Sequence, residues 1–214
     1  MKVGTDGTLL GAWARGGKKI LDIGTGTGLI ALMMAQRYQE SIITAIDIDS
    51  EAVAEARENV AASPFANRIT VIEGDITRSL TLPFEFYDAI VCNPPYFNDS
   101  LTCPDNQRTK ARHTTTLNYR DLMKAAETLL SDDGELSVVI PFDCKARLEG
   151  EAALVGLSKC RECSVRTTPN KAPRRYLLAF RKHPGMLETE EGVLGNVYGE
   201  RTEWYQELTK EFYL

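Results

Sequence analysis

The chain has 214 residues, 43% apolar and 26% charged, a balance that fits a globular protein burying roughly 70% of its unfolded surface without disulfides or metal. No apolar run reaches the length of about 18 residues that a membrane span needs, and the N-terminus Met1-Lys2-Val3-Gly4-Thr5-Asp6-Gly7 has no apolar signal core, so a cytoplasmic protein is expected. The formal net charge of −5 argues against binding nucleic acid by bulk electrostatics and leaves room for a local basic patch.

Strand and helix patterns alternate along the chain. Residues 18–24 (KKILDIG) are a short apolar run ending at glycine, which predicts a buried strand. Residues 29–38 have helical apolar spacing, and 42–48 (IITAIDI) predict a second strand. Ser50 reads as the N-cap of a helix that follows. Residues 68–73 (RITVIE) and 87–92 (YDAIVC) predict strands three and four. A helix over 118–130 is expected to stop near Asp133-Gly134, before a fifth strand at 136–140 (LSVVI). A weaker helix at 146–157, strands at 163–167 and 176–181 joined by a link bounded by Pro169 and Pro173, and a final amphipathic helix at 203–212 complete the order.

This order predicts a Rossmann-like α/β fold, a mostly parallel sheet with helices on both faces, to which the terminal hairpin adds an antiparallel edge. One domain over residues 1–214 is expected. In such sheets ligands bind beyond the carboxyl ends of the strands, so the residues after strands one to four are the candidates.

After strand one stands Asp22-Ile23-Gly24-Thr25-Gly26-Thr27-Gly28. Gly24, Gly26 and Gly28 let the backbone turn tightly and approach a ligand, and the helix beyond points its N–H groups there. The spacing is G-x-G-x-G; the dinucleotide fingerprint would need glycine where Leu29 stands, which counts against a dehydrogenase. Asp22 would repel a pyrophosphate but can serve an ammonium group. After strand two, Asp47 can accept from both ribose hydroxyls of a nucleoside, while Asp49 reads as a helix cap. After strand three, Asp75 can accept from an exocyclic adenine amine. Three acids at three successive strand ends describe a pocket for S-adenosylmethionine. After strand four comes Asn93-Pro94-Pro95-Tyr96. The Asn93 side-chain oxygen and the Pro94 carbonyl can both accept from one NH₂ group, stabilising the positive charge that develops as its nitrogen attacks a methyl group. Tyr96 offers a face on which a base can stack.

Cys92, Cys103, Cys144, Cys160 and Cys163 are irregularly spaced. The one C-x-x-C, with only His113 and His183 beside it, falls short of a zinc pattern, so no metal and mostly buried reduced thiols are expected. Trp13, Tyr38, Trp204, Tyr205, Phe212 and Tyr213 read as packing residues.

These motifs resemble class I S-adenosylmethionine-dependent methyltransferases of the N-P-P-Y amino-methylating group. Asp22 to Gly28 is similar to their glycine motif, Asp47 to the ribose acid, Asp75 to the adenine acid and Asn93 to Tyr96 to the catalytic loop. Residues 2–13, 111–117 and 212–214 resemble, more narrowly, the bacterial family that methylates N6 of adenine-37 in a valine tRNA. The resemblance spans essentially the whole chain. It implies catalytic roles for Asn93, Pro94 and Tyr96. It implies cofactor contacts from Thr5, Asp22, Gly24, Gly26, Gly28, Asp47, Ile48, Asp75, Ile76 and Asn93. That family's chains begin some two dozen residues earlier, so its leading segment is expected to be absent. Other amino nitrogens, on rRNA or DNA adenine or protein glutamine, are the alternative substrates of the N-P-P-Y group.

Basic residues cluster at Arg108, Lys110, Arg112 and His113, close enough after Tyr96 to meet a phosphate beside an entering base. His113 is read as a phosphate contact or helix cap rather than a general base. A second run, 171–175 (KAPRR), is equally readable as solvated surface. Anticodon-loop bases already lie outside a duplex, which suits a small enzyme. A tRNA partner is expected, with no membrane and no obligate protein partner.

Overall fold

The computed structural model describes residues 4–78, 86–95 and 117–212. Its strands are β1 (Lys19–Ile23), β2 (Ile42–Asp47), β3 (Ile69–Glu73), β4 (Tyr87–Cys92), β5 (Leu130–Pro141), β6 (Ser158–Arg166), β7 (Arg175–Arg181) and β8 (Glu188–Val193). They form one sheet in the order β3-β2-β1-β4-β5-β7-β6-β8. β1 to β5 are mutually parallel, and β7 runs antiparallel to both β5 and β6. The strand order reverses between β1 and β4, the switch at which such sheets open a crevice.

Among the described residues the sheet has eight strands, where the seven strand patterns read from the sequence predict a seven-stranded sheet. The added β8 pairs in parallel with β6. Its residues ETEEGV show no apolar alternation because β8 is an exposed edge held by charge. Arg15 pairs with Glu188 at 2.7 Å, Arg166 with Glu191 at 3.4 Å, and Trp13 Nε1 donates to Glu190.

The helices are α1 (Thr5–Trp13), α2 (Leu29–Arg37), α3 (Ser50–Ala61), α4 (Tyr119–Leu129), α5 (Lys145–Leu154) and α6 (Glu203–Thr209). Side-chain alternation along β1 divides the core. Ile20 packs with Leu9, Trp13, Ile30, Met34 and Tyr205 on one face. Leu21 and Ile23 pack with Leu122, Met123 and Leu148 on the other.

Helix α1 has no amphipathic signature because Gly7 to Trp13 are all buried. Its glycines are contact points: a Cβ on Gly11 would stand 2.7 Å from Met33 Sδ and 3.0 Å from Met33 Cβ, so glycine here lets α1 lie close against α2 without displacing that side chain. β5 begins at Leu130, earlier than the expected 136, because Gly134 lets the chain pass close to β4. A Cβ there would lie 2.8 Å from the Tyr87 carbonyl oxygen. Asp49, not Ser50, caps α3; its carboxylate accepts from the Glu51 and Ala52 amides.

Arg161 is 8% exposed, donates to Glu135 at 2.9 Å and to the Trp13 carbonyl, and lies 3.8 Å over the Trp13 ring. The group ties α1 to β5 and β6. Glu135→Ala leaves this buried guanidinium without its close carboxylate and is expected to cost about 3 kcal/mol of stability. Urea titration that finds the variant within about 0.5 kcal/mol of the parent would refute the assignment. Cys160 and Cys163 are buried free thiols, and burial pushes Cys160 up to about 12, so neither thiol is poised as a nucleophile near neutral pH.

Candidate active site

The carboxyl ends of β1, β2 and β3 are stitched together by backbone bonds. The amides of Gly24 and Thr25 donate to the Ile46 carbonyl at 2.8 and 3.1 Å, and the Gly74 amide donates to the Asp47 carbonyl at 2.9 Å. Gly24, Gly26 and Gly28 have φ of +69°, +56° and +80°, a left-handed backbone that side chains strain. A Cβ at Gly24 or Gly26 would meet nothing within 4 Å, whereas at Gly28 it would touch Ala56 of α3. The first two glycines thus line an open cradle and the third packs the loop on α3.

Asp47 sits at the cradle's edge. Its Oδ2 accepts from the Gly26 amide at 2.8 Å and its Oδ1 from the Asp49 amide at 3.0 Å. A carboxylate offers about four lone-pair sites, so acceptor capacity remains toward the cradle. Ile48 beside it is 45% exposed, an apolar surface fit for the face of a base. The first turn of α1, with Thr5 exposed, stands near the start of α2: a Cβ on Gly7 would lie 3.2 Å from Leu29 Cδ2.

Asp22 departs from the expectation that it meets an ammonium group. Its carboxylate is 0% exposed beneath the loop. Oδ2 accepts from Thr25 Oγ1 at 2.6 Å and from the Ala31 amide at 3.1 Å, fastening the glycine loop to α2; Oδ1 has no partner among the described residues. Burial pushes its pKa up to about 7, against the two hydrogen bonds and with help from the nearby Asp47 charge.

Asp75 also carries a local duty. Its Oδ1 accepts from the Thr77 hydroxyl at 2.6 Å and amide at 2.9 Å, and Arg78 lies 3.4 Å from Oδ2. Those bonds, the hydroxyl's first, hold its pKa below the usual carboxylate value. Ile76 is buried at 7% exposure and packs in the core. At the end of β4, Asn93 is half-buried, Pro94 buried and Pro95 exposed. Tyr96 and the basic set Arg108, Lys110, Arg112 and His113 lie outside the described residues.

The structure adds a feature at the end of β5, a strand end that inspection of strands one to four passes over. Phe142 is 51% exposed there and stacks on Tyr176 at a centroid distance of 6.0 Å. An aromatic two positions after the predicted strand, behind Pro141, was the available signal.

Sheet order, the open glycine cradle and the acid at the end of β2 define a Rossmann-like, S-adenosylmethionine-dependent methyltransferase. The family model described as Methyltransferase small domain matches residues 8–155. Two tRNA1(Val) (adenine(37)-N6)-methyltransferases align over all of this chain and 91% of their own length: 46% identical from Bacteroides thetaiotaomicron and 48% from Phocaeicola vulgatus. The chain belongs to the methyltransferase small domain family and to the family of these relatives. In fold it is similar to the crystal structure of a predicted O-methyltransferase from Agrobacterium tumefaciens, with TM-score 0.77 and 20% identity over 97% of this chain and 96% of that one. A glycopeptide N-methyltransferase complexed with S-adenosylmethionine superposes with TM-score 0.61 at 11% identity, covering 85% of this chain and all of that one.

Proposed function

We propose that the chain transfers a methyl group from S-adenosylmethionine to N6 of adenine-37 in the anticodon loop of tRNA1(Val). The observation that carries this reading is the whole-length likeness to relatives named for that reaction; the open cradle beside Asp47 supports the cofactor. When bound, S-adenosylmethionine supplies an electrophilic methyl group on a sulfonium.

The chain's own residues divide the remaining work. Gly24 and Gly26 leave room for the cofactor, Asp47 accepts from ribose hydroxyls, and Ile48 covers a face of the adenine. Asp75 keeps Oδ2 lone pairs for the adenine amine, Ile76 packs beneath, and Thr5 flanks the methionine side. Asp22 and Gly28 act on the loop that forms the cradle. Asn93 Oδ1 and the Pro94 carbonyl accept from the target NH₂, orient it and stabilise the charge growing on nitrogen. Tyr96 stacks the base, and Arg108, Lys110, Arg112 and His113 meet phosphates. Residues 1–214 act as one methyltransferase domain, supported by the single sheet, and a cytoplasmic location suits a tRNA substrate.

The test is methyl transfer to an unmodified tRNA1(Val) transcript and to one with guanine at position 37. Incorporation into the first alone is the expected result. Equal incorporation into both, or transfer into rRNA, DNA or protein instead, overturns the substrate. Separately, Asp47→Ala is expected to weaken S-adenosylmethionine binding about 10- to 100-fold, read by calorimetry, through lost hydrogen bonds to a charged acceptor. Unchanged affinity removes Asp47 from the cofactor site.

A further inference from the structure

A groove of about 610 Å³ opens at the carboxyl edge of the sheet, between the turn after β5 and the link joining β6 to β7. Phe142, Lys171 and Arg174 are among the residues that line it, and the Phe142 amide donates to the Arg174 carbonyl at 3.1 Å. A second groove of about 460 Å³ continues past Phe142 toward Lys145 and Tyr176. Phe142 therefore divides two adjoining clefts, stacked on Tyr176 with half of its surface open. Lys145 Nζ lies 4.3 Å from the centre of the Tyr176 ring and is paired with Glu162.

The charges in the first groove favour an anion. Arg175 is held by Asp6 at 2.8 Å, but Lys171 and Arg174 are exposed and make no ion pair among the described residues. Asp143 is the acid in the lining. Unpaired cations beside an exposed aromatic ring suit a nucleotide, whose phosphate takes the charge and whose base takes the ring. In a chain of net charge −5, affinity for RNA has to come from local patches of this kind.

The groove is also well placed. Pro141, at the end of β5, pairs with Arg175, so the groove opens at the same sheet edge as the crevice. β5 lies directly beside β4, from which Asn93 emerges. One strand spacing of about 4.8 Å separates the two strand ends laterally.

We propose that this groove seats a nucleotide flanking the target adenine, with its base on Phe142 and its phosphate between Lys171 and Arg174. The proposal rests on the reading that the substrate is RNA, and names a second point at which the RNA is held.

The experiment measures anisotropy of a labelled anticodon stem-loop of tRNA1(Val) with the full chain over a salt series. Phe142→Ala is expected to weaken binding about 5- to 150-fold, with Phe142→Trp close to the parent. Lys171→Ala with Arg174→Ala is expected to flatten the salt slope by about 0.7 to 0.9, the value for the one phosphate the pair holds. S-adenosylmethionine affinity and thermal midpoint should stay at parental values in each variant, since all three side chains are substantially exposed. Parental RNA affinity and salt slope in the variants overturn the groove. Methyl transfer by the parent, measured alongside, separates this from the proposed function. A parent that binds through the groove but leaves adenine-37 unmethylated overturns the reaction and keeps the groove. A parent that methylates while the groove variants bind normally does the reverse, and a parent that binds no RNA overturns both.

Discussion

Asn93→Ala is expected to slow methyl transfer about 100- to 1,000-fold in single-turnover assays on tRNA1(Val), the cost of one directed partner at a developing charge in comparable sites. The amino nitrogen of adenine is a poor nucleophile because its lone pair is delocalised into the ring. Two acceptors aimed at the NH₂ favour the pyramidal nitrogen and grow stronger as positive charge appears, so they act on the transition state more than on the bound substrate. Asn93 directly follows β4, and the buried Pro94 stiffens the chain that presents it. The cradle residues lie in the turn after β1 and at the end of β2, so cofactor affinity should change by less than about threefold, a difference below 1 kcal/mol. A parental rate in the variant would rule out amino-group activation by this side chain; a rate loss matched by lost cofactor affinity would make the cofactor contact that the resemblance implies for Asn93 its larger role.

A second large effect is expected from Asp22, as a dependence of stability on pH. The unfolded carboxyl titrates near 3.8 and the native one at about 7, because burial disfavours its charge. Between these values the native state holds a proton that the unfolded state has released. The residue's contribution to stability is therefore present below about pH 4, declines as pH rises, and is lost above about pH 7. A displacement of this size corresponds to on the order of 4 kcal/mol. Other carboxylates titrate in the same range, so the measurement is a difference: urea unfolding of the parent and of Asp22→Asn from pH 4 to 8. The neutral amide removes the titration, and the parent should lose ground to the variant by up to about 4 kcal/mol across the series. Parallel curves would mean that Asp22 is ionised throughout.

Much of the cradle is legible without a structure. Three glycines on alternate positions after an apolar run demand a backbone that only they adopt easily, and all three prove left-handed. Asp47 follows a second apolar run and comes to rest against Gly26. Other elements are silent for identifiable reasons. Helix α1 is buried almost all round, and its glycines look like breakers until Met33 of α2 is seen against Gly11. β8 looks like a polar loop because its partners are distant arginines and a tryptophan.

The sequence by itself determined the alternation of strands and helices, the turn after β1 and the acids at successive strand ends. Each of these is written in the periodicity or backbone demands of neighbouring residues. Only the tertiary structure decided that Asp22 lies under the loop rather than in the crevice, since Thr25 and the start of α2 close over it. It likewise decided that Phe142 shares a groove with Lys171 and Arg174, brought together by antiparallel pairing of β5 with β7. Burial, charge pairing and groove shape are properties of segments far apart in the chain, and local patterns along a sequence do not encode which of those segments will touch.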